Sequence, residues 1–293
     1  MADMLAGSVL ITGCNRGLGL EMIRQLVTSS TPPRVVIGTC RKPDEALQTT
    51  YCKETAPDET SLNLKRLAKV QQIGSQNQIY TEFLALESNV VDYKSLPGLV
   101  EEVGAAVGPQ GLNLLINNAG IMDKCSSQMF GIPLEHLEPH TFSNVMETNT
   151  TAPLMLVKEM LPLLRKAATV GGAIGVRRAA VVNISSIMGS MVVSRIVRKA
   201  CDVSCTVRKV CDVNCTVSKA ALNMLTKILA MNFGDEGLMF VAIHPGWVQT
   251  DMGTSSGMIT TQESISRIFK TLPTLMEKHN GLLVSYDGTV MPW

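Results

Sequence analysis

Short apolar runs alternate along the chain with longer stretches whose apolar residues recur at helical spacing. Residues 7–12 (Gly-Ser-Val-Leu-Ile-Thr) predict a strand; Leu20, Ile23, Leu26 and Val27 then predict a helix. The unit repeats. Further strands are predicted at 34–40, 79–85, 112–116, 181–186, 239–244 and 282–285. Helices are predicted at 95–107, with Pro97 in the first turn, and over 141–168 and 217–233, while 255–280 reads as helix with loops. Segment 44–78 exceeds what a strand-to-strand link needs. Within it Leu64, Leu67 and Ala68 are spaced as on a helix, so a helix ending at Gly74 is predicted in 58–74. Pro153 predicts a kink in the long helical region. Seven strands alternating with helices, and no linker between halves, predict one doubly wound α/β domain with a parallel sheet over residues 1–293.

Composition narrows the class. Hydrophobic residues make up 45% of the 293 residues, enough for a large core. The net charge of +1 carries no basic excess, so neither nucleic acid nor an anionic membrane is expected as a partner. The opening residues Met1-Ala2-Asp3-Met4-Leu5 contain an acid and no basic region, and no signal peptide is expected. No apolar run reaches the roughly 18–20 residues that span a bilayer. A cytoplasmic protein with reduced thiols is expected, despite eight cysteines.

The turns after the predicted strands carry the candidate chemistry. Gly13-Cys14-Asn15-Arg16-Gly17-Leu18-Gly19 lies between a strand and a helix, where glycines let backbone approach a pyrophosphate and the helix N-terminus supplies N–H donors. The second strand ends in Thr39-Cys40-Arg41 and not in the acid that binds a ribose 2′-hydroxyl. Arg41 and Arg16 supply two guanidiniums suited to a 2′-phosphate, which predicts NADP(H). Asn89-Val90 is placed to meet an adenine edge. Asn117-Asn118-Ala119-Gly120 suits a strand tip that bonds backbone and leaves room for a ribose. Asn149 is a polar residue within a helical run, suited to bonding a buried carbonyl or holding a water. Ser185-Ser186 ends a buried strand, and Pro245-Gly246-Trp247-Val248-Gln249-Thr250 turns beyond another.

Taken together and in this order, Thr12-Gly13-x-x-x-Gly17-x-Gly19, Asn117-Asn118-Ala119-Gly120, Asn149, Ser185-Ser186 and Pro245-Gly246 resemble the short-chain dehydrogenase/reductase family over nearly the whole chain. His244-Pro245-Gly246-Trp247-Val248-x-Thr250-Asp251-Met252 and Tyr286-Asp287-Gly288-Thr289 resemble its branch of sniffer and C-factor-like carbonyl reductases. The resemblance implies a Rossmann-type sheet of order 3-2-1-4-5-6-7 and hydride transfer between NADP(H) and a small aldehyde or ketone. It implies cofactor contacts at Gly13, Asn15, Arg16, Gly17, Leu18, Gly19, Arg41, Asn89, Val90, Asn117, Ala119, Gly120, Lys219, Pro245, Gly246, Val248 and Thr250. It also implies a homodimer in many relatives, through helices near 141–168 and 217–233. Of the family's catalytic groups, Ser186, Lys219 and Asn149 carry over. The family's Tyr-x-x-x-Lys reads Cys215-x-x-x-Lys219, and no tyrosine lies between Tyr93 and Tyr286. The resemblance therefore implies either a weakened reductase or a catalytically inactive NADP(H)-binding protein acting as a sensor or interaction partner.

Cys215 ends a near repeat, residues 197–206 and 207–216, in an insertion at about 190–215. The 29 positions from Ser186 to Cys215 exceed the family's spacing. The repeat's alternation suits a strand or hairpin, and a tandem duplication suits a surface loop. Its four cysteines, Cys201, Cys205, Cys211 and Cys215, are spaced more widely than structural zinc usually has, and no metal is assigned to the site.

Overall fold

The computed structural model describes residues 7–42, 67–73, 78–122, 134–193 and 213–293. In chain order these form β1 (Ser8–Thr12), α1 (Gly17–Val27), β2 (Val35–Cys40), β3 (Leu67–Ile73), β4 (Gln78–Glu87), α2 (Leu96–Val107), β5 (Leu114–Asn117), α3 (Pro139–Met146) and α4 (Ala152–Ala168). There follow β6 (Ala180–Ile184), α5 (Val213–Phe233), β7 (Met239–His244), α6 (Thr261–Thr271), β8 (Leu283–Ser285) and β9 (Val290–Met291).

One sheet runs β3-β4-β2-β1-β5-β6-β7-β8-β9. Its seven inner strands pair in parallel, in the order that the resemblance implied. The two outer strands are additions, each antiparallel to its neighbour. On one edge this overturns a prediction. Leu67–Ile73, expected within a helix, is a strand paired with β4, while residues 58–66 lie outside the described residues. Helical spacing of three residues was a local signal; the open edge of the ten-residue β4 offered a whole ladder of backbone partners instead.

Successive strand residues point to opposite faces, and each face has its own core. Val9 and Ile11 pack with Met22, Ile23 and Leu26 of α1 and Ile265, Ile268 and Phe269 of α6. Leu10 and Phe240 pack with Val103 of α2, Leu156 and Met160 of α4, and Leu229 of α5. The kink expected near Pro153 is a π-helical turn, Glu147–Thr151, between α3 and α4. The repeat lies outside the described residues except for Val213 to Thr216. These form the first turn of α5, where neither a hairpin nor a surface loop stands.

The two directions of winding meet between β1 and β5, which opens a crevice beyond their carboxyl ends. Phe240 is wholly buried on β7, in the core shared with α5. Phe240→Ala is expected to lower unfolding free energy in urea by about 3–5 kcal/mol while the far-ultraviolet dichroism of the native state is retained.

Candidate active site

The residues assigned to the site stand at or beyond the carboxyl end of a parallel strand, in the π-turn or in the first two turns of α5. The glycine turn is shaped by sterics. Gly13 and Gly17 have φ of 71° and 56°, the left-handed region that favours glycine. A Cβ on Gly13 would lie 2.9 Å from Ala119 Cα, so the turns after β1 and β5 touch backbone to backbone. A Cβ on Gly19 would strike the Gly13 carbonyl, which keeps the start of α1 directly behind the turn. Thr12 Oγ1 accepts the N–H groups of Asn118 (3.1 Å) and Ala119 (3.0 Å), and Asn118 Nδ2 donates to the Thr12 carbonyl at 2.8 Å.

Asn117 has a different task from its neighbour. Its Nδ2 donates to Asn183 Oδ1 at 2.8 Å, and Asn183 Nδ2 donates to Thr226 Oγ1 at 2.9 Å, so this amide bolts β5 to β6 and α5. Val90, Asn117, Ala119, Thr12 and Thr148 line one small crevice, which brings the loops after β4 and β5 together. Asn89 precedes Val90 in the same loop. Across the cleft, the loop after β7 carries Pro245, Gly246, Val248 and Thr250. Thr250 Cγ2 is 3.7 Å from where a Gly17 Cβ would be. Asn15 and Leu18 lie in the glycine turn and at the start of α1.

The two arginines stand in different surroundings. Arg41 is exposed beyond β2, whereas Arg16 Nη1 binds Asp251 Oδ2 at 2.7 Å, with both side chains about 70% exposed. The pair crosses the cleft from the glycine turn to the loop after β7. Beside Arg41, Thr39 Oγ1 is buried with no hydrogen-bond partner among the described residues. Left-handed glycines, a helix N-terminus without acids in its first turn, and an orphaned hydroxyl at the tip of β2 fit a dinucleotide phosphate and ribose.

The candidate catalytic groups gather around α5. Lys219 is 9% exposed, and its Nζ donates to the Ile184 carbonyl at 2.8 Å. Burial holds its ammonium below the usual lysine range; Cys215, one turn earlier, opposes that shift. A Gly120 Cβ would lie 3.2 Å from Asn149 Oδ1 and 3.8 Å from Lys219 Nζ, so the loop after β5 closes on both. Asn149 Oδ1 accepts the Ile121 N–H at 2.8 Å, and its Nδ2 donates to the Ile121 carbonyl at 2.9 Å. The serines divide their work. Ser185 is buried and donates to Asn223 Oδ1 at 2.5 Å, while Ser186 is half-buried and its Oγ accepts the Met188 N–H at 3.1 Å. A Cβ on Gly189 would lie 2.6 Å from the Lys219 carbonyl carbon, so the serine turn rests on the backbone of α5 at the lysine.

A family model described as enoyl-(acyl carrier protein) reductase matches residues 60–274. The chain belongs to the short-chain dehydrogenase/reductase family. It is similar to a carbonyl reductase from chicken fatty liver solved with NADPH bound, at 32% identity and TM-score 0.81, covering 100% of this chain and 96% of that one. It is also similar to the carbonyl reductase Sniffer of D. melanogaster, at 32% identity and TM-score 0.76, covering 98% and 100%. An uncharacterised oxidoreductase of Schizosaccharomyces pombe is 28% identical over 300 residues, 97% of this chain and 96% of its own.

For a short-chain dehydrogenase/reductase, the reading of the sequence missed the residues that hold the site rather than form it. Asn223, Gly189, Ser218 and Asp251 act through their partners, Ser185, the Lys219 backbone, Asn149 and Arg16, and only the fold brings them together. Cys14, Cys40 and Cys215 form no disulfide. Among the described residues no cluster of three or more His, Cys, Asp or Glu is placed to hold a metal; Cys201, Cys205 and Cys211 lie outside them. No described helix is long and apolar enough to cross a membrane.

His244 ends β7 with Nδ1 buried and without a partner among the described residues. Burial pushes its pKa down to about 4, against an opposing pull from Asp287. Between the ordinary value of about 6.5 and this one, the unfolded chain takes up a proton that the folded protein refuses. Stability therefore falls as pH falls through that window. His244→Asn is expected to reduce the loss of urea-unfolding free energy between pH 7 and pH 4.5 by about 2.5 kcal/mol; an unchanged loss shows that His244 does not contribute.

Proposed function

We propose that this chain is an NADP(H)-dependent reductase of small aldehydes or ketones, weakened because Cys215 stands where the family has its tyrosine. The observation that carries this reading is Lys219. Its ammonium is buried at the meeting of β6, the Gly120 loop and Asn149, with Cys215 on the same face of α5 one turn away. The similar chicken enzyme is a carbonyl reductase with NADPH bound, which supports the cofactor and the reaction class. When bound, the cofactor supplies the hydride.

The chain's own residues do the rest. The glycine turn and the N-terminus of α1 receive the pyrophosphate. Arg41 and Thr39 stand at the 2′-phosphate end, while Arg16 holds the glycine turn to Asp251 across the cleft. Ser186, whose neighbour Ser185 is committed to Asn223, polarises the substrate carbonyl. Lys219 holds the nicotinamide ribose and favours ionisation of whatever group stands at 215. Asn149 has its side chain committed within the protein, so a relay water would be held through its backbone. The alkoxide then needs a proton. A thiol has an ordinary pKa of about 8.5, against about 10 for a phenol, so its acidity suffices. Its reach does not: the sulfur stops near its own backbone, and a water has to bridge to the substrate. Loss of a positioned general acid costs roughly 10²–10⁴-fold in rate. A homodimer through α4 and α5 would cover Met224, Ile228 and Met231, which α5 leaves exposed.

The second reading is a catalytically inactive NADP(H)-binding protein. It is favoured by the position of Tyr286, the tyrosine that follows Lys219 in the chain, which packs beneath Arg267 with 5.4 Å from guanidinium to ring. NADPH oxidation across a panel of carbonyl compounds separates the two. The proposed reductase turns over slowly as wild type and faster, by roughly 10²-fold or more, as Cys215→Tyr. Turnover only in Cys215→Tyr establishes the inactive protein; tight NADPH binding without turnover in either variant shows a displaced catalytic turn and rejects the reductase.

Cofactor choice is tested apart from chemistry. Arg41→Ala is expected to weaken NADPH binding by about 10- to 100-fold and NADH binding little, by fluorescence titration. Wild-type preference for NADH overturns the assignment.

A further inference from the structure

Asn149 and Cys215 come from different elements, and one small side chain joins them. Ser218 lies in α5 immediately before Lys219 and is fully buried. Its Oγ donates to the Cys215 carbonyl at 2.9 Å and accepts from Asn149 Nδ2 at 3.1 Å. Thr150 Oγ1 donates to the Ser218 carbonyl at 3.0 Å. Asn149 is in turn held at both backbone groups of Ile121. Hydrogen bonds thus run without a break from the loop after β5, through the π-turn, to the first turn of α5.

A serine bonded to the carbonyl three residues back is common in helices and by itself means little. Two features set Ser218 apart. Its single proton is committed to Cys215, so toward Asn149 it acts only as acceptor, which fixes the direction of the whole run. The π-turn also grips the same residue twice, through Asn149 and through Thr150.

We propose that Ser218 is a positioning residue: it sets where Cys215 and Lys219 stand relative to Asn149 and Gly120, and touches neither substrate nor cofactor. Its consequence for turnover rests on the proposed reductase function, whereas its consequence for the thiol does not. Removing the hydroxyl leaves Asn149 Nδ2 with a buried proton lacking its acceptor and takes a bond from the Cys215 carbonyl, so the π-turn and α5 separate. Misplacement of this order in a catalytic constellation lowers rate without removing binding. Lys219 is coupled electrostatically to Cys215, and Glu147 of the π-turn to Tyr93.

The test uses Ser218→Ala and Ser218→Thr, each in the wild-type chain and in Cys215→Tyr. In the wild-type chain, alkylation of Cys215 by iodoacetamide is followed against pH by peptide mass spectrometry. The midpoint is expected to rise in Ser218→Ala, as the thiol loses its place beside Lys219, and to return in Ser218→Thr, which keeps the hydroxyl. In the Cys215→Tyr chain, Ser218→Ala is expected to lower kcat about 10-fold, with KM for the carbonyl and Kd for NADPH within about twofold. An unmoved midpoint with unmoved kcat overturns the proposal. So does a parallel loss of Tm, NADPH affinity and kcat that Ser218→Thr shares, because that reports packing alone. Should Ser218→Ala fail to fold, Thr150→Val cuts the second grip from the half-buried side; a smaller rise in the midpoint supports the proposal and no rise overturns it. If no variant turns over, the reductase reading fails while the alkylation arm still decides the role of Ser218.

Discussion

The site is built around an ammonium group taken out of water. An isolated buried charge is costly unless it is paired or hydrogen-bonded, and Lys219 meets that requirement at the Ile184 carbonyl. The bond requires β6 to end where it does and α5 to lie across that end. It also requires close packing, which Gly189 permits on one side and Gly120 on the other. Ser185 and Asn223 clamp the same two elements one turn further along. The cofactor crevice and the catalytic turn are therefore not independent: the Gly120 loop that borders the lysine follows the strand tip whose backbone touches Gly13.

How much of this was legible in the sequence depended on whether a residue acts through its own chemistry or through its partners. The glycine turn and the alternation of strands and helices were legible directly, because left-handed backbone, a phosphate cradle and the two periodicities each demand particular residue types; the order of the inner strands and Lys219 came through the family resemblance. Leu67–Ile73 did not, since three apolar residues at helical spacing say nothing about an open sheet edge nearby. Arg16 was read as half of a phosphate clamp, yet its partner is Asp251, 235 positions away. Asn117 and Asn118 are adjacent and chemically identical, but alternation along the strand sends one into the β6–α5 scaffold and turns the other back on Thr12 and Gly13. Only the pleat distinguishes them.

The repeat poses its problem at one atom. Its final residues continue smoothly into α5, so the helix start tolerates the duplicated sequence, and Cys215 keeps its place in register with Lys219. What is altered is length: a thiol in place of a phenol leaves the electrostatic partner intact and shortens the arm. Acidity and geometry, which a tyrosine supplies together, are here pulled apart.

The bridge from Arg16 to Asp251 has a consequence of its own. The loop that carries Asp251 is bound to itself, through the Val248–Ile259 pairing and the bond from Trp247 Nε1 to the Gly253 carbonyl, so it is braced as one unit. One contact between that unit and the glycine turn is an ion pair open to solvent, a kind of contact worth little and weakened by salt. The outer margin of the cleft thus carries a contact that salt weakens, while the inner margin, closed by glycine against backbone, has none.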